Sequence, residues 1–485
     1  MNFAEYLTKY LADNKLSVSQ AAKRIGMDRT IFFRYTTGRR TPQSEEQVSE
    51  IADRLCMTAE EKDELIDKYD RLSLGDELVS SFHYVNRLMK TLSNADTFNS
   101  QSPASLTAKL NLRNYSFVKE SSYLNSPTAI VECAFHIFQA EKSLNKSGGI
   151  KLIMQPNYKQ IEGMLTPIFS DSVIPVEQII CLEKTIEKGY TNLDLIEELI
   201  TPIFCLKNVN VYYHYDILKS HLNSANLLPN MILTESSALL FDFDMQNGYF
   251  TQDKEFIKLL DNRFKELKSQ CSPFIDKGSY AYIVQKNNMV IETNKIETFF
   301  NQPCIVPCLG RKILADVIIN FPMKQYLIDS LISIHGDWDG MEHIPPTSYA
   351  LCCCSWEGII EVFRTGMIGE FPDEFYIPFT KEMKIMVLKR MIYLHTNDLH
   401  QYLILKSGIN LSNTIQIYRN EENHSVTLRN ATAENIIQIN IAESSIYNSF
   451  KNYIDYINKK GLCSTKEETT ELLKRILDMV INDKI

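Results

Sequence analysis

The sequence predicts a multidomain chain in which an all-α N-terminal domain precedes a large α/β to α+β region. The chain has 485 residues, which is enough for about three domains of ordinary size. Its first 75 residues contain short amphipathic stretches bounded by helix-capping residues. Beyond residue 105, short apolar runs alternate with helical stretches, and this alternation favours packed α/β structure.

Five short helices are predicted within the first 75 residues. The first places its apolar residues at the three-and-four spacing that forms one helix face, namely Phe3, Tyr6, Leu7, Tyr10 and Leu11. The other helices are predicted from residues that begin or end helices. Ser17 or Ser19 begins the second and Gly26 ends it, and Asp28 begins the third and Gly38 ends it. Pro42 and Ser44 begin the fourth, and Thr58 begins the fifth. The third helix is predicted from Arg29 to Thr36.

A sixth helix is predicted from Asp76 to Leu92, with an apolar stripe that requires a packing partner. The polar segment Ser93 to Ser105 contains Pro103 and has no sustained period, so it is predicted to be a linker. Pro273 and Gly278 mark a further boundary. We therefore expect a helical domain at 1–75, a helix and linker at 76–105, an α/β domain at 106–275 and an α+β domain at 276–485.

Strands and helices in the two later domains are predicted from apolar runs and helical periodicity. The strands are Ile150–Met154, Val209–Tyr213, Met231–Thr234, Ala238–Phe243, Ala281–Val284, Ile359–Phe363, Tyr402–Leu405 and Ile436–Ile441. The helices are Ala129–Leu144, Leu193–Phe204, Lys254–Leu267, Lys381–Leu394 and Thr465–Val480. The sequence shows no internal repeat of fixed period.

The charge distribution confines any nucleic-acid contact to a small surface. The formal net charge is −9, which excludes a protein that coats nucleic acid along its whole length. Between Lys15 and Pro42, however, seven basic side chains face a single acidic one, Asp28, and the balance reverses from Glu45 to Asp70. This pattern predicts a positive field on one face of the helical domain.

The chain lacks the features of a secreted or membrane-spanning protein. No run of about 18 apolar residues occurs, and the first 15 residues form an amphipathic pattern rather than a signal sequence. The 11 cysteines are spread from Cys56 to Cys463 instead of marking a compact disulfide framework. We expect a cytoplasmic protein with reduced thiols and no membrane partner.

The segment Ser17 to Pro42 resembles the lambda-repressor-like, or XRE, family of helix-turn-helix regulators. The matching features are Gln20, the Ala21-Ala22 pair, the Ile25-Gly26-Met27 turn, Arg34-Tyr35, Gly38, Arg39 and Pro42. The segment departs from the common pattern at Phe32-Phe33 and at Thr36. The resemblance covers about the first 70 residues and implies a DNA-binding transcriptional regulator whose third helix enters the major groove of double-stranded DNA.

Side chains at the exposed start of the third helix are expected to meet base edges. These are Asp28, Arg29, Thr30 and Phe33, whereas Ile31, Phe32 and Tyr35 are assigned to the core. Arg29 suits a bidentate contact with guanine, and Phe33 suits apolar contact with a thymine methyl group. Asp28 has a second interpretation, in which it caps the helix and touches no base.

Four further side chains are expected at the phosphate backbone. Gln20 begins the second helix, whose N-terminal amides favour an anion. Arg34, Arg39 and Arg40 are assigned as phosphate clamps because they follow the base-reading end of the third helix.

The remaining chain offers no complete catalytic or metal-binding set. Val211–Phe243 resembles the core of phospholipase-D-like domains, which would imply an inactive relative, because His214 is not part of a His-x-Lys motif. Cys304 and Cys308, and the run Cys352 to Cys354, lack the companions of a zinc site and are interpreted as buried thiols. The segment His335 to His343 gathers His335, Asp337, Asp339, Glu342 and His343, either as a cation or effector site or as a surface loop.

The sequence therefore predicts a DNA-binding transcriptional regulator, not an enzyme, with a large effector-sensing or assembly region. We expect a homodimer on double-stranded DNA, an effector that is a small molecule, peptide or protein, and no cofactor or metal. Two alternatives remain: an enzyme carrying a DNA-binding domain, and a scaffold whose helical domain docks protein.

Overall fold

The computed structural model describes residues 1–98, 121–144, 148–183, 190–216, 227–278, 295–321, 323–338, 349–409, 411–431 and 436–485. The chain forms two compact units, each assembled from two separate segments. The first contains Met1–Asn86 and Asn448–Gly461, and the second contains Arg87–Tyr447 and Leu462–Ile485. Across the described ranges, none of the helices combines the length and apolar character needed to span a bilayer.

The N-terminal region is helical, as predicted. Its helices are α1 Phe3–Asp13, α2 Val18–Ile25, α3 Arg29–Thr36, α4 Glu45–Leu55, α5 Ala59–Leu74 and α6 Asp76–Phe98. The predicted caps are confirmed, because the side chains of Ser17, Asp28, Ser44 and Thr58 each accept a hydrogen bond from an amide in the first turn of α2, α3, α4 and α5. Local capping therefore defines where these helices begin.

Helix α6 continues to Phe98, past the predicted end at Leu92. Ser93–Phe98, predicted to begin a linker, are thus helical, and residues 99–105 lie outside the described part of the chain. The apolar stripe of α6 is buried within the chain, with Val79, Val85, Leu88 and Leu92 at most 1% exposed. The packing partner that this stripe requires therefore lies within the chain itself.

The second unit contains an eight-stranded mixed sheet. Its elements, in chain order, are β1 Ser121–Leu124, α7 Pro127–Leu144, β2 Ile150–Ile153, α8 Lys159–Phe169, β3 Val176–Glu183, α9 Tyr190–Cys205, β4 Val209–Asp216, β5 Asn230–Leu233, β6 Ala238–Phe241, β7 Gly248–Thr251, α10 Lys254–Lys268 and β8 Ser272–Pro273. The strand order is β1-β7-β6-β5-β2-β3-β4-β8. Strands β2, β3 and β4 are parallel, and the remaining pairs are antiparallel.

A seven-stranded mixed sheet follows in the same unit. Its elements are β9 Ile275–Gly278, β10 Lys295–Phe299, α11 Arg311–Val317, α12 Lys324–His335, β11 Tyr349–Ser355, α13 Trp356–Thr365, α14 Lys381–Thr396, β12 His400–Leu405, β13 Ile415–Asn420, β14 Ser425–Ala431, β15 Ile436–Ile441, α15 Ser444–Lys459 and α16 Lys466–Ile481. The strand order is β12-β11-β10-β13-β14-β15-β9. Strands β10, β11 and β12 are parallel.

The two sheets repeat one topology. With the two-residue strand β8 set aside, the first sheet runs β4-β3-β2-β5-β6-β7-β1, which matches the second sheet strand for strand and direction for direction. Strands β2 and β10 begin at residues 150 and 295, whereas β4 and β12 begin at 209 and 400. The intervening segments differ in length, so the repeat has no fixed period in the sequence.

Most of the predicted strands and helices in this unit are found near their expected positions, but one strand was wrong. Ile359–Phe363 lies inside α13, because Ser355 caps that helix through the amide of Gly358 and Gly366 ends it in the left-handed conformation. A short apolar run does not by itself separate a strand from a buried helix. The predicted strand Ala281–Val284 lies outside the described residues.

The first unit is completed by the C-terminal part of α15, which packs on α5 and α6. Asp70 of α5 is 3% exposed, and both its carboxylate oxygens lie 2.8 Å from Nζ of Lys460. The hydroxyl of Tyr456 donates to the same carboxylate at 2.8 Å, and the ring of Phe82 stacks on that of Tyr456 at 4.3 Å. Lys460 also pairs with Glu45. Residues 448–461 thus provide the charge partner of a buried carboxylate.

We expect Lys460→Met to destabilise the first unit, because removing one partner of a buried ion pair leaves the other charge uncompensated. The loss should be about 3 kcal/mol, measured as the opening free energy of α5 amides by hydrogen exchange on the full chain. Lys459→Met is the matched control, since Lys459 is exposed. Equal exchange in both variants would contradict a stabilising role for Lys460.

Candidate nucleic-acid interface

Helices α2 and α3 are joined by a tight turn whose geometry is set locally. Gly26 ends α2 in the left-handed conformation, at φ 76°, which glycine adopts without steric cost. Two residues later, the carboxylate of Asp28 accepts hydrogen bonds from the amides of Thr30 at 2.8 Å and Ile31 at 3.1 Å. The chain therefore leaves one helix and begins the next within three residues.

One face of α3 anchors the helix in the core of the first unit. Phe32 is fully buried and Tyr35 is 1% exposed, while Ile31 is half-buried against the same cluster. The hydroxyl of Tyr35 lies 3.3 Å from Oε1 of Gln47, and Thr8 of α1 donates to the carbonyl of Thr36. These contacts confirm the core residues predicted for α3 and fix which face of the helix points outward.

The opposite face of α3 presents the predicted base-contacting residues to solvent. Asp28, Arg29, Thr30 and Phe33 are all exposed, and the ring of Phe33 is 45% exposed although its neighbour Phe32 is buried. The structure thus brings these four residues to one accessible end of α3. It places hydrogen-bonding groups and one aromatic ring side by side.

Three arginines adjoin this face. Arg34 is exposed on α3, and its carbonyl accepts from the amides of Arg39 at 2.9 Å and Arg40 at 3.2 Å. Gly38, at φ 69°, supplies the turn that brings the chain back. Within the described residues, none of these side chains forms an ion pair, whereas Arg54 on α4 pairs with Glu50. Their charge is therefore available to an anionic partner.

Gln20 is partly committed to helix capping. Its Oε1 accepts hydrogen bonds from the amide and the hydroxyl of Ser17, both at 2.9 Å, and its own amide donates to Ser17 Oγ. This capping box fixes the side-chain oxygen and leaves the side-chain NH₂ group as a donor. Gln20 is thus suited to an acceptor such as a phosphate oxygen.

Electrostatics at the start of α3 follow from the cap. The hydrogen bonds from the amides of Ile31 and Thr30 hold the pKa of Asp28 below its ordinary value. The carboxylate therefore stays charged at neutral pH and meets the positive end of the helix. Its capping role is established by these contacts, whereas a base contact by Asp28 stays a prediction.

We expect Asp28→Ala to expose the first-turn amides of α3, and Asp28→Asn to protect them, because asparagine also caps helices well. The lowered pKa gives the pH dependence: the stabilisation by Asp28 is present above the ordinary pKa of aspartate and is lost as pH falls below it. Amide exchange of Thr30 and Ile31 measures both effects. An acid response that persists in Asp28→Asn would contradict this assignment.

The other candidate residues from the sequence lie in the second unit. Cys308, Cys352 and Cys354 are buried in a large apolar core, and burial raises the pKa of Cys308 to about 12. Asp337 accepts from the amide of Arg311, while 339–343 lie outside the described residues. In the ranges described, no three His, Cys, Asp or Glu side chains are arranged to hold a metal ion.

A small cleft that sequence reasoning missed lies beside β13. It is lined by 300–303, 369–370, Asn413 and Gln416, and its free space is about that of one water molecule. Gln416, 2% exposed, donates to the carbonyl of Gly369 at 2.9 Å and accepts from the hydroxyl of Tyr418 at 2.6 Å. Burial raises the pKa of Glu370 to about 7. The cleft thus combines amides with a carboxyl group that titrates near neutral pH.

Most of the polar side chains of this region have no polar equivalent in the first sheet. The guanidinium of Arg429 donates to Gln438 Oε1 at 3.1 Å and lies 4.8 Å from the ring of Tyr418. By strand register, the residues Gln416, Tyr418, Arg429 and Gln438 are equivalent to Asn230, Ile232, Phe241 and Gly248 of the first sheet. The alternation of apolar and polar residues in β13 and β14 is visible in the sequence and could have indicated these strands. The sequence does not show which strands pair with each other, so it could not indicate the cluster.

No protein-family model matches the sequence, and no curated protein matches it. Among solved structures, one similar chain is TrmBL2, described as an archaeal chromatin protein with a novel mode of DNA binding. It is 11% identical over 35% of this chain and 58% of that one, with a TM-score of 0.21. Another is the polyphosphate kinase from Porphyromonas gingivalis, 10% identical over 68% of this chain and 49% of that one, with a TM-score of 0.22. This chain spans less than two thirds of the length of either protein, and likeness at these TM-scores supports no conclusion about function.

Proposed function

We propose that the protein is a sequence-specific, double-stranded DNA-binding transcriptional regulator. In this proposal α2 and α3 are a helix-turn-helix of the lambda-repressor-like kind, with α3 in the major groove. The observation that carries it is that α3 has two different faces. One face is buried through Phe32 and Tyr35. The other is exposed and adjoins three arginines that form no ion pair among the described residues. A groove about 12 Å wide admits one such helix.

The positions of the exposed residues assign them two roles, contact with bases and contact with the phosphate backbone. Arg29 stands at the leading end of α3, where a guanidinium can donate two hydrogen bonds to a guanine. Arg39 follows the turn at Gly38, so it is assigned to the phosphate backbone, which carries no base identity. Arg34, Arg40 and the NH₂ group of Gln20 take the same role.

We expect Arg29→Ala to weaken binding to the cognate site by about 1 to 3 kcal/mol and to relax one base preference. Arg39→Ala should weaken binding to all DNA sequences alike, and it should reduce the slope of log affinity against log salt concentration by about one. Titrations of the full chain with duplexes selected from a random pool, at several salt concentrations, measure both effects.

The matched control is Arg54→Ala, which removes an exposed arginine that pairs with Glu50 on α4. Its affinity should equal that of the unmodified chain. Unchanged affinity and base preference in Arg29→Ala would place α3 outside the groove. Failure to retain any duplex, with a protein copurifying instead, would favour the docking-scaffold alternative.

We further propose that the regulator binds as a homodimer, because one domain of this size covers only a short half-site. Selected duplexes should contain two inverted half-sites about one helical turn apart. Light scattering of the complex measures its stoichiometry. A single chain on DNA, together with a monomer at micromolar concentration when free, would reject the dimer.

The second unit is proposed to sense an effector at the cleft beside β13. The support is its set of amide groups and Glu370, which combine donors and acceptors for a polar molecule. Because the free space now holds about one water, the proposal requires the cleft to open on binding. For regulation, that molecule must bind the DNA-competent and incompetent states unequally.

A thermal-shift screen of sugars, amino acids and nucleotides should identify a compound that stabilises the full chain and changes its DNA affinity. Asn413→Ala should lose the response, because Asn413 lines the cleft, and Asn397→Ala should keep it, because Asn397 is exposed elsewhere. Conversion of the compound over many turnovers would favour the enzyme alternative.

A further inference from the structure

Phe33 is the one large apolar side chain on the outward face of α3 that the core does not use. Its ring is 45% exposed, whereas the rings of Phe32 and Tyr35 are at most 1% exposed. It stands one helical turn after Arg29 and immediately before Arg34, among groups that hydrogen-bond. An aromatic ring in this position suits an apolar feature on the bound partner.

The charge around Phe33 favours an anionic partner, such as the DNA of the proposed function. Arg29, Arg34, Arg39 and Arg40 are exposed, and none forms an ion pair within the described residues. A phenyl ring neither donates nor accepts hydrogen bonds, so it cannot distinguish the polar edges of the bases. In the major groove the apolar group that differs between bases is the C5 methyl of thymine. The same methyl occurs at the same ring position in 5-methylcytosine.

Building on the proposed function, we propose that Phe33 reads the C5 methyl group of a pyrimidine, in thymine or in 5-methylcytosine. The spacing within α3 places this contact relative to that of Arg29. Four residues rise about 6 Å along a helix, so the methyl-bearing base lies within about two base steps of the guanine bound by Arg29. The chain is thereby sensitive to cytosine methylation at this position of its site.

The test replaces thymine by uracil, which removes the methyl group and leaves the hydrogen-bonding edges unchanged. The probe is the duplex that the full chain selects from a random-sequence pool, resynthesised with uracil at one thymine at a time. At one position the exchange should weaken binding by about fourfold, as expected for one buried methyl group. With cytosine at that position, 5-methylation should strengthen binding by a similar factor.

Variants of Phe33 assign the effect to its ring. Phe33→Ala should bind the thymine duplex about as weakly as the unmodified chain binds the uracil duplex, and it should not respond to either exchange. Phe33→Leu keeps an apolar group and should keep part of the response. Leu72→Ala is the matched control, because Leu72 is 54% exposed on α5 and should leave every affinity unchanged.

The outcomes separate this inference from the proposed function. If the chain selects a duplex, but uracil exchange affects the unmodified chain and Phe33→Ala equally at every position, the methyl assignment is overturned and DNA binding stands. If the chain selects no duplex from the pool, the proposed function fails and the inference fails with it. Circular dichroism of each variant shows whether its helices are retained.

Discussion

The buried carboxylate of Asp70 is the constraint on which the N-terminal unit depends. A charge removed from water must be paired and hydrogen-bonded, and here the partners are Lys460 and Tyr456, almost 400 residues further along the chain. Although burial opposes its charge, the carboxylates of Asp70 and Glu45 raise the pKa of Lys460. Burial and the hydrogen bond to Asp70 also raise the pKa of Tyr456. Lys460 is therefore held in its charged form.

This constraint reaches the exposed face of α3 through a short series of contacts. Asp70 fixes α5, and the neighbouring Tyr69 packs edge-on against Phe3 of α1, with ring centroids 6.2 Å apart. Thr8 of α1 in turn donates to the carbonyl of Thr36 at the end of α3. These contacts connect the buried carboxylate to the end of α3, whose outward face is set by the burial of Phe32 and Tyr35.

The features that the sequence predicted well are those determined within one helical turn. Ser17, Asp28 and Thr58 cap helices through amides two or three residues away, so their effect is visible in any short window of sequence. The split of α3 into buried Phe32 and exposed Phe33 follows in the same way from helical periodicity.

The features that could not be predicted depend on pairings between distant segments. Strand β13 pairs with both β10 and β14, and only these registers bring Gln416, Arg429 and Gln438 together. The repeated topology was hidden because the segments between equivalent strands differ in length. The strand prediction for Ile359–Phe363 was wrong for a different reason, because a short, mostly apolar run of five residues shows too little periodicity to separate a helix from a strand.

The assembly of the first unit from two distant segments of the chain has a consequence for synthesis. Residues 1–86 leave the ribosome early, but their partners at 448–461 follow about 360 residues later. At about 5 to 20 residues per second, Asp70 waits roughly 20 to 80 seconds for Lys460. During that interval the nascent chain holds an uncompensated carboxylate and the uncovered ring of Phe82. Completion of the helical unit is therefore delayed until residues 448–461 have been translated, and a chain interrupted before them releases a domain that lacks its closing segment.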